Sequence, residues 1–193
     1  GSPPRFDVPV DGDPGELEDA GIPRSCAEAS AFPSSMGCVF YGLDLDQPSL
    51  FDPIPHAVVV INVSDELPAN AVIETHAPAG WTPVSVTALS PQTHQLVELP
   101  DDTLVGTGRF ERGSYRIVSD QPIAAVAVSA ANPAETWSTA SMSLMPQEAW
   151  TDETITPGWR SEDAIGEFGY VSLVAGVDAT TVEVHASAPA IPG

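Results

Sequence analysis

Closely spaced carboxylates are the side chains of this sequence that could most readily do chemistry. They fall in predicted loops, and those best placed to ligate a metal are Asp44, Asp46, Asp65 and Asp120. Loop carboxylates supply the oxygen ligands that Ca²⁺ prefers, although none of the four continues into an EF-hand or a Gly-Gly-x-Gly-x-Asp repeat. We expect either a calcium site here or, more simply, solvated turn residues, and we expect no other cofactor.

Tryptophans offer a second kind of site. An indole is a large apolar ring with one polar N–H, and an exposed indole stacks well on the apolar face of a pyranose sugar. Trp137, Trp150 and Trp159 lie in or near a long connection over residues 145–163, which is rich in Trp, Thr, Glu and Pro. We therefore expect these three residues to contact a ligand, with packing in the core as the common alternative fate of Trp.

Catalytic motifs are missing from the sequence. It has no Gly-x-Ser-x-Gly, no Ser-x-x-Lys and no His-Glu-x-x-His, and Gly106-Thr107-Gly108 is an isolated Gly-x-Gly without the remainder of a phosphate-binding loop. The four histidines each lie in or beside a predicted strand, so a Ser–His–Asp triad could form only through the fold. We expect a protein that is not an enzyme, and a hydrolase is the least favoured alternative.

The two cysteines, Cys26 and Cys38, have neither zinc-ligand nor redox Cys-x-x-Cys spacing. One disulfide closing a short loop would contribute roughly 3 kcal/mol in the chain-entropy model, and two free buried thiols are the alternative. Few basic residues and many Thr, Ser, Pro and Gly residues favour the oxidised, exported case. Asn62-Val63-Ser64 fits the N-glycosylation sequon, which often occurs by chance.

The charge balance excludes one class of partner. Asp and Glu number 27 against 6 Lys and Arg, for a formal net charge of −21. Nucleic-acid binding requires clustered basic residues, and an anionic membrane surface would repel the chain. No apolar run is long enough for membrane insertion of this segment. The acidity fits solubility, calcium binding or a basic partner, and solubility is the simplest of the three.

Short β-type runs with turns between them predict an all-β, antiparallel β-sandwich with long loops and little helix, or two packed β-domains. A hairpin is predicted around Ser119-Asp120-Gln121-Pro122. We predict a flexible Pro-rich, acidic leader over residues 1–25 and the β-sandwich region over 26–193, with a sub-boundary near 132–137. The strands are predicted at 38–41, 56–63, 71–76, 84–89, 95–99, 115–118, 123–128, 138–144, 169–174 and 181–185.

Several segments together resemble the IgG Fc-binding protein N-terminal region family, a module of animal mucin-like proteins and bacterial surface proteins. The resemblance implies an extracellular, β-rich adhesion or binding module, with no catalytic residues to carry over and with the C-terminal part of the module missing. Immunoglobulin binding itself is not carried over. The matching segments are 34–41 (Ser-Ser-Met-Gly-Cys-Val-Phe-Tyr), 57–65 (Ala-Val-Val-Val-Ile-Asn-Val-Ser-Asp), 97–100 (Val-Glu-Leu-Pro), 115–125 (Tyr-Arg-Ile-Val-Ser-Asp-Gln-Pro-Ile-Ala-Ala) and 143–146 (Ser-Leu-Met-Pro).

These observations predict a non-catalytic extracellular binding or adhesion module of a bacterial cell-surface protein, with a protein or a glycan at the cell surface as its ligand. We expect an exported, outer-surface location, with a lipoprotein-type lipid anchor through a natural N-terminus that the opening Gly1-Ser2 replaces. One alternative is a structural spacer domain of a surface assembly, which would have no exposed aromatic patch. Another is a calcium-dependent carbohydrate-binding module, which would bring Asp44 or Asp46 to a second acidic loop near a Trp.

Overall fold

The computed structural model describes residues 21–32, 34–44, 55–100, 108–111, 113–129, 140–154, 171–177 and 179–185. Most of the predicted leader, up to residue 20, lies outside these ranges, as does the predicted sub-boundary near 132–137.

The described chain is mostly antiparallel β-sheet, so the prediction of an all-β fold with little helix is confirmed. All seven strands of the described residues belong to one curled sheet, with the order β4-β3-β6-β2-β5 and with β1 and β7 also paired to β6. No separate second sheet of the kind that a sandwich has is present among the described residues. The elements are α1 (Cys26–Ala31), β1 (Gly37–Leu43), β2 (Ala57–Asn62), β3 (Ala69–Ala77), β4 (Gly80–Leu89), β5 (His94–Glu98), β6 (Ser114–Ser129), β7 (Ala140–Ser143) and a 3₁₀ helix (Gln147–Ala149).

Strand β6 organises the sheet because it is 16 residues long and pairs with four other strands. Its first half pairs with β1 and β3, and its second half pairs with β2 and β7. The sheet therefore divides at the middle of β6, where its neighbours change.

The hairpin predicted around residues 119–122 is wrong, because the chain continues through them as one strand. The ladder with β3 ends at Ser119 and the ladder with β2 begins at Ile123, so Pro122 sits where no ladder donor is required. The Asp120 carboxylate accepts two hydrogen bonds of 2.7 Å from Asn70 on β3, one from its backbone N–H and one from its side-chain amide. The turn-favouring residues Ser119 to Pro122 therefore lie where β6 changes its neighbouring strands, and the chain does not turn there.

The core fills the inside of the curl. Alternate residues of β2, β3 and β6 face it, and the largest fully buried apolar side chains are Phe40, Ile73, Tyr115, Ile117 and Ile123. Burying a side chain of this size contributes about 1.5–3 kcal/mol.

Asn62 is buried in the same core and connects three backbone segments. Its side-chain amide donates hydrogen bonds to the carbonyls of Leu67, Leu89 and Ser90, at 2.9, 3.2 and 3.1 Å. Its side-chain oxygen accepts from the backbone N–H of Ser64. The sequon asparagine is thus a structural residue of the folded protein, with every polar atom of its side chain in use.

Helix α1 was not predicted from the sequence. Its signal is the pair Ser25 and Glu28, a Ser-x-x-Glu capping pattern, and Ser25 Oγ accepts from the Glu28 backbone N–H. The predicted disulfide between Cys26 and Cys38 is confirmed, with a Cα–Cα distance of 5.7 Å, and it joins α1 to β1.

Two predicted strands near the end of the chain are wrong where the structure describes them. Residues 171–174 and 181–185 form no strand, although their apolar residues alternate as in a strand. Val171, Leu173, Val182 and Val184 are each more than half exposed, at 53 to 65%. The pattern here has no partner strand in the described part of the chain, and a strand requires one.

No described helix is long and apolar enough to cross a membrane.

Candidate functional site

Six aromatic and charged side chains gather on the outer face of the sheet, opposite the core, and we call them the aromatic–ionic face. They come from four strands and from the residue after the 3₁₀ helix. Because side chains alternate along a strand, the neighbours of the core residues Phe40, Ile73 and Tyr115 point to this outer side. The members are Tyr41 (β1), Glu74 and His76 (β3), Trp81 (β4), Arg116 (β6) and Trp150.

Strand register brings the members together. Arg116 is directly opposite Tyr41 on one side and Glu74 on the other, so these three residues form one row across β1, β6 and β3. His76 is opposite Trp81 in the β3–β4 ladder, two residues further along β3. Directly opposite side chains are close enough for contact, so the face follows from the pairing of these strands.

A partly buried ion pair lies at the centre of the face. Arg116 Nε donates a hydrogen bond to Glu74 Oε2, and the two side chains are 29% and 14% exposed. This hydrogen bond, together with the charge of Glu74, raises the pKa of Arg116 above its usual value against the opposing effect of burial. The guanidinium carbon also lies 4.6 Å from the centre of the Trp81 ring, a cation–π arrangement. The charge is therefore fixed in position.

The aromatic rings pack around this pair. Tyr41 lies between the two indoles, with ring centres 5.9 Å from Trp81 and 5.4 Å from Trp150. His76 meets Trp81 edge-on at 4.9 Å. Its Nδ1 is 2.8 Å from the carbonyl oxygen of Glu111, and since a carbonyl only accepts, Nδ1 carries the proton and Nε2 is the acceptor of the neutral ring.

Trp150 is the most exposed large ring of the face, at 38%. Its Nε1–H donates to the carbonyl of Met145 at 3.2 Å, which orients the indole. Gly176 lies against the same ring: a Cβ added there would be 3.1 Å from Trp150 Cζ3 and 3.3 Å from Tyr41 Cε2. A larger residue at this position would push on both rings.

A cluster of buried polar side chains, His56, Tyr115 and Asp44, lies inside the curl and is separate from the aromatic–ionic face. His56 Nε2 is 3.3 Å from the Tyr115 hydroxyl, and His56 Nδ1 is 3.9 Å from Asp44 Oδ1, with no hydrogen bond to Nδ1. Burial lowers the pKa of His56 while the charge of Asp44 opposes this, and burial, followed by the same charge, raises the pKa of Tyr115. The His56 side chain is only 3% exposed. We interpret this group as a buried polar connection between the ends of β1, β2 and β6.

The predicted calcium ligands occupy separate places. Asp44 lies beside His56, Asp65 is exposed in the loop after β2, and Asp120 binds Asn70 across to β3. Asp46 lies outside the described residues. No group of three or more His, Cys, Asp and Glu side chains that could hold a metal occurs in the described part of the chain. Calcium binding by these residues stays a prediction.

Of the predicted ligand-contact tryptophans, Trp150 lies on the aromatic–ionic face, while Trp137 and Trp159 lie outside the described residues. Sequence reasoning missed the other five members of the face. Alternation along each strand could have placed Glu74 and His76 on one side of β3, away from Ile73. It could not supply the register that puts them beside Arg116 and Trp81, because strand pairing is a long-range property.

Comparison with known proteins identifies no family. No protein-family model matches the chain, and no curated protein matches it. Among solved structures, the chain is similar to the crystal structure of Thermotoga maritima 1070, with 13% sequence identity and a TM-score of 0.37. The match covers 57% of this chain and 95% of that one.

Proposed function

We propose that this chain is a non-catalytic binding or adhesion module of a bacterial cell-surface protein, and that its ligand, a protein or a glycan, binds at the aromatic–ionic face. The observation that carries the proposal is the placement of Tyr41, Trp81 and Trp150 around the Arg116–Glu74 pair on the outside of the sheet. Trp, Tyr and Arg are the residues that dominate binding energy at interfaces. The Arg116–Glu74 pair holds its polar groups in a fixed position beside these rings, which would present them to a ligand in a defined arrangement.

An extracellular location is supported by the disulfide between Cys26 and Cys38, since disulfides persist in oxidising compartments. The resemblance of the sequence from about residue 34 to 193 to the IgG Fc-binding protein N-terminal region supports a surface-exposed binding role, and with it the outer-surface location and lipid anchor expected from the sequence. The charge of −21 fits a protein that stays soluble and avoids nucleic acid.

The spacer alternative predicts no exposed aromatic patch. Trp150 is 38% exposed and packs against the buried Tyr41, and this exposed tryptophan favours a binding role over a spacer.

The calcium-dependent carbohydrate-binding alternative is tested by a thermal melt with millimolar calcium and with EDTA. We expect no shift in Tm, since the described aspartates do not converge. A rise of several degrees would indicate specific binding to the folded state and would favour this alternative.

The proposal is tested by screening the labelled protein on protein and glycan arrays, with Trp150→Ala as the test variant. Leu96→Ala is the matched control, because Leu96 is also an exposed apolar residue, 48% exposed, but lies on β5. We expect signals that Trp150→Ala abolishes and Leu96→Ala retains. Signals that survive Trp150→Ala would place the site elsewhere, and the absence of any signal would contradict a binding role.

A further inference from the structure

We propose that the aromatic–ionic face takes a neutral saccharide, with a pyranose ring stacked on Trp150 and its hydroxyls hydrogen-bonded to Arg116 and Glu74. This inference rests on the proposed function and narrows its ligand to one chemical class.

The aromatic half of the face is suited to the apolar side of a sugar. A pyranose presents a face of C–H groups, which contacts an indole well, and a rim of hydroxyls. The Trp150 ring is accessible and already oriented by its hydrogen bond to Met145 and by its contact with Tyr41. A ring held in place before binding loses little conformational entropy on binding.

The polar half of the face is suited to the hydroxyl groups at the rim of the sugar ring. The Arg116 guanidinium carries five N–H donors, and its bond to Glu74 uses Nε. Glu74 has a second carboxylate oxygen, and His76 Nε2 is an acceptor when the ring is neutral. Donors and acceptors thus stand side by side, as adjacent hydroxyls require. Tyr41 joins the two halves, because it contacts the Trp150 ring and also interacts with Arg116.

Charge favours a neutral sugar over an acidic one. The positive charge of Arg116 is already paired with Glu74, so no free cation of this face is left for a uronate or sialate carboxylate. The protein as a whole carries a formal net charge of −21, which repels anions at long range. A neutral sugar avoids both costs.

Size favours a small ligand over a flat protein surface. A stable protein interface buries about 800 Å² on each partner. Here the backbone at Gly176 lies against the Trp150 and Tyr41 rings and limits the platform on that side. A glycan of one to a few residues needs only one ring and the polar groups next to it.

The test is an NMR titration of the full ¹⁵N-labelled chain with the methyl glycosides of glucose, galactose, mannose and N-acetylglucosamine, and with glucuronate as the acidic comparator. The readout is the indole N–H signals of Trp150 and Trp81. We expect at least one neutral glycoside to shift both signals saturably, with a Kd on the order of 1 mM. Glucuronate should shift them less.

Variants locate the interaction. Trp150→Ala should weaken binding at least about tenfold, while Trp150→Phe, which keeps a stacking ring, should weaken it less. Glu74→Gln should also weaken binding, and Leu96→Ala should leave it unchanged. Binding that Trp150→Ala leaves intact would overturn the site.

Two further outcomes separate this inference from the proposed function. If no neutral glycoside shifts the indole signals but an array protein binds in a Trp150-dependent manner, the saccharide is wrong and the binding module stands. If neither occurs, both proposals are wrong.

Discussion

The guanidinium of Arg116 lies over the ring of Trp81, 4.6 Å from its centre, although β3 separates the strands that carry them. The two side chains therefore meet over the outer side of β3, the strand that carries Glu74, and Glu74 pairs with Arg116. The outer face of the sheet therefore has a fixed arrangement of rings and charges. Its members come from four separate segments of the chain, and the pairing of β1 and β3 with β6 and of β4 with β3 brings them into contact.

This contact should be measurable as a coupling free energy. In a double-mutant cycle of Arg116→Met and Trp81→Leu, followed by urea unfolding, we expect a coupling of about 0.5–1 kcal/mol, the range for a partly exposed cation–π pair. Additive effects of the two substitutions would mean that the two side chains do not stabilise one another.

Asn62 should be among the most sensitive polar positions. Asn62→Ala removes the donor from three carbonyls and opens a gap in the core, so we expect a loss of about 3 kcal/mol in the free energy of unfolding. Asn70→Ala is the control, because Asn70 is exposed and its side-chain amide donates to the Asp120 carboxylate rather than to buried carbonyls. It should cost less than about 1 kcal/mol. Equal losses in the two variants would contradict the structural role of Asn62.

The disulfide should stabilise the fold through its loop. The two cysteines are separated by 12 positions, and closing such a loop contributes about 3 kcal/mol in the chain-entropy model. The Cys26→Ser, Cys38→Ser double variant should therefore unfold at a lower urea concentration than the wild type, and reduction of the wild type should reproduce the shift. Reactive thiols in the unreduced wild type would contradict the bond.

Acid should weaken the fold through His56. Because burial lowers the pKa of His56 in the folded state below its ordinary value of 6.5, the unfolded chain binds the proton more readily. The stability contribution is present above about pH 6.5 and is lost as the pH falls below it. Asp44 and Tyr115 face His56, and the charge of Asp44 opposes the lowering of the pKa and so moderates the size of the effect.

The measurement is urea unfolding from about pH 7.5 to about pH 5, where His titrates. The wild type should lose more stability over this range than His56→Asn, and comparison with the variant cancels the effect of the carboxylates common to both. His94→Asn, at an exposed position of β5, should behave like the wild type. Parallel pH curves for the wild type and His56→Asn would contradict the lowered pKa.

Much of the scaffold can be predicted from the sequence because its signals are local. A continuous run of β-branched residues predicts a strand over 56–63, and β2 is Ala57–Asn62. Cysteine spacing and composition predict the disulfide. Where a local signal misleads, pairing is the reason: Ser119 to Pro122 has the chemistry of a turn, yet β6 passes through it because its neighbours change there.

The candidate site is less predictable for the same reason. Trp150 could be selected from the sequence as an exposed tryptophan, but nothing local to Tyr41, Glu74 or Arg116 shows that they share a row. Their proximity follows from two ladders, β1 with β6 and β3 with β6, which join residues more than 40 positions apart. Residues 171–174 show the converse, since this strand pattern has no partner in the described part of the chain and forms no strand there.

The most direct test of the binding face is to map by NMR chemical-shift perturbation where an array-identified ligand contacts the ¹⁵N-labelled chain. Perturbations should concentrate on Tyr41, Glu74, His76, Trp81, Arg116 and Trp150, with Leu96 and the rest of β5 unaffected. Perturbations that concentrate on β5, or that avoid the indole signals of Trp81 and Trp150, would contradict the claim that this face is the ligand site.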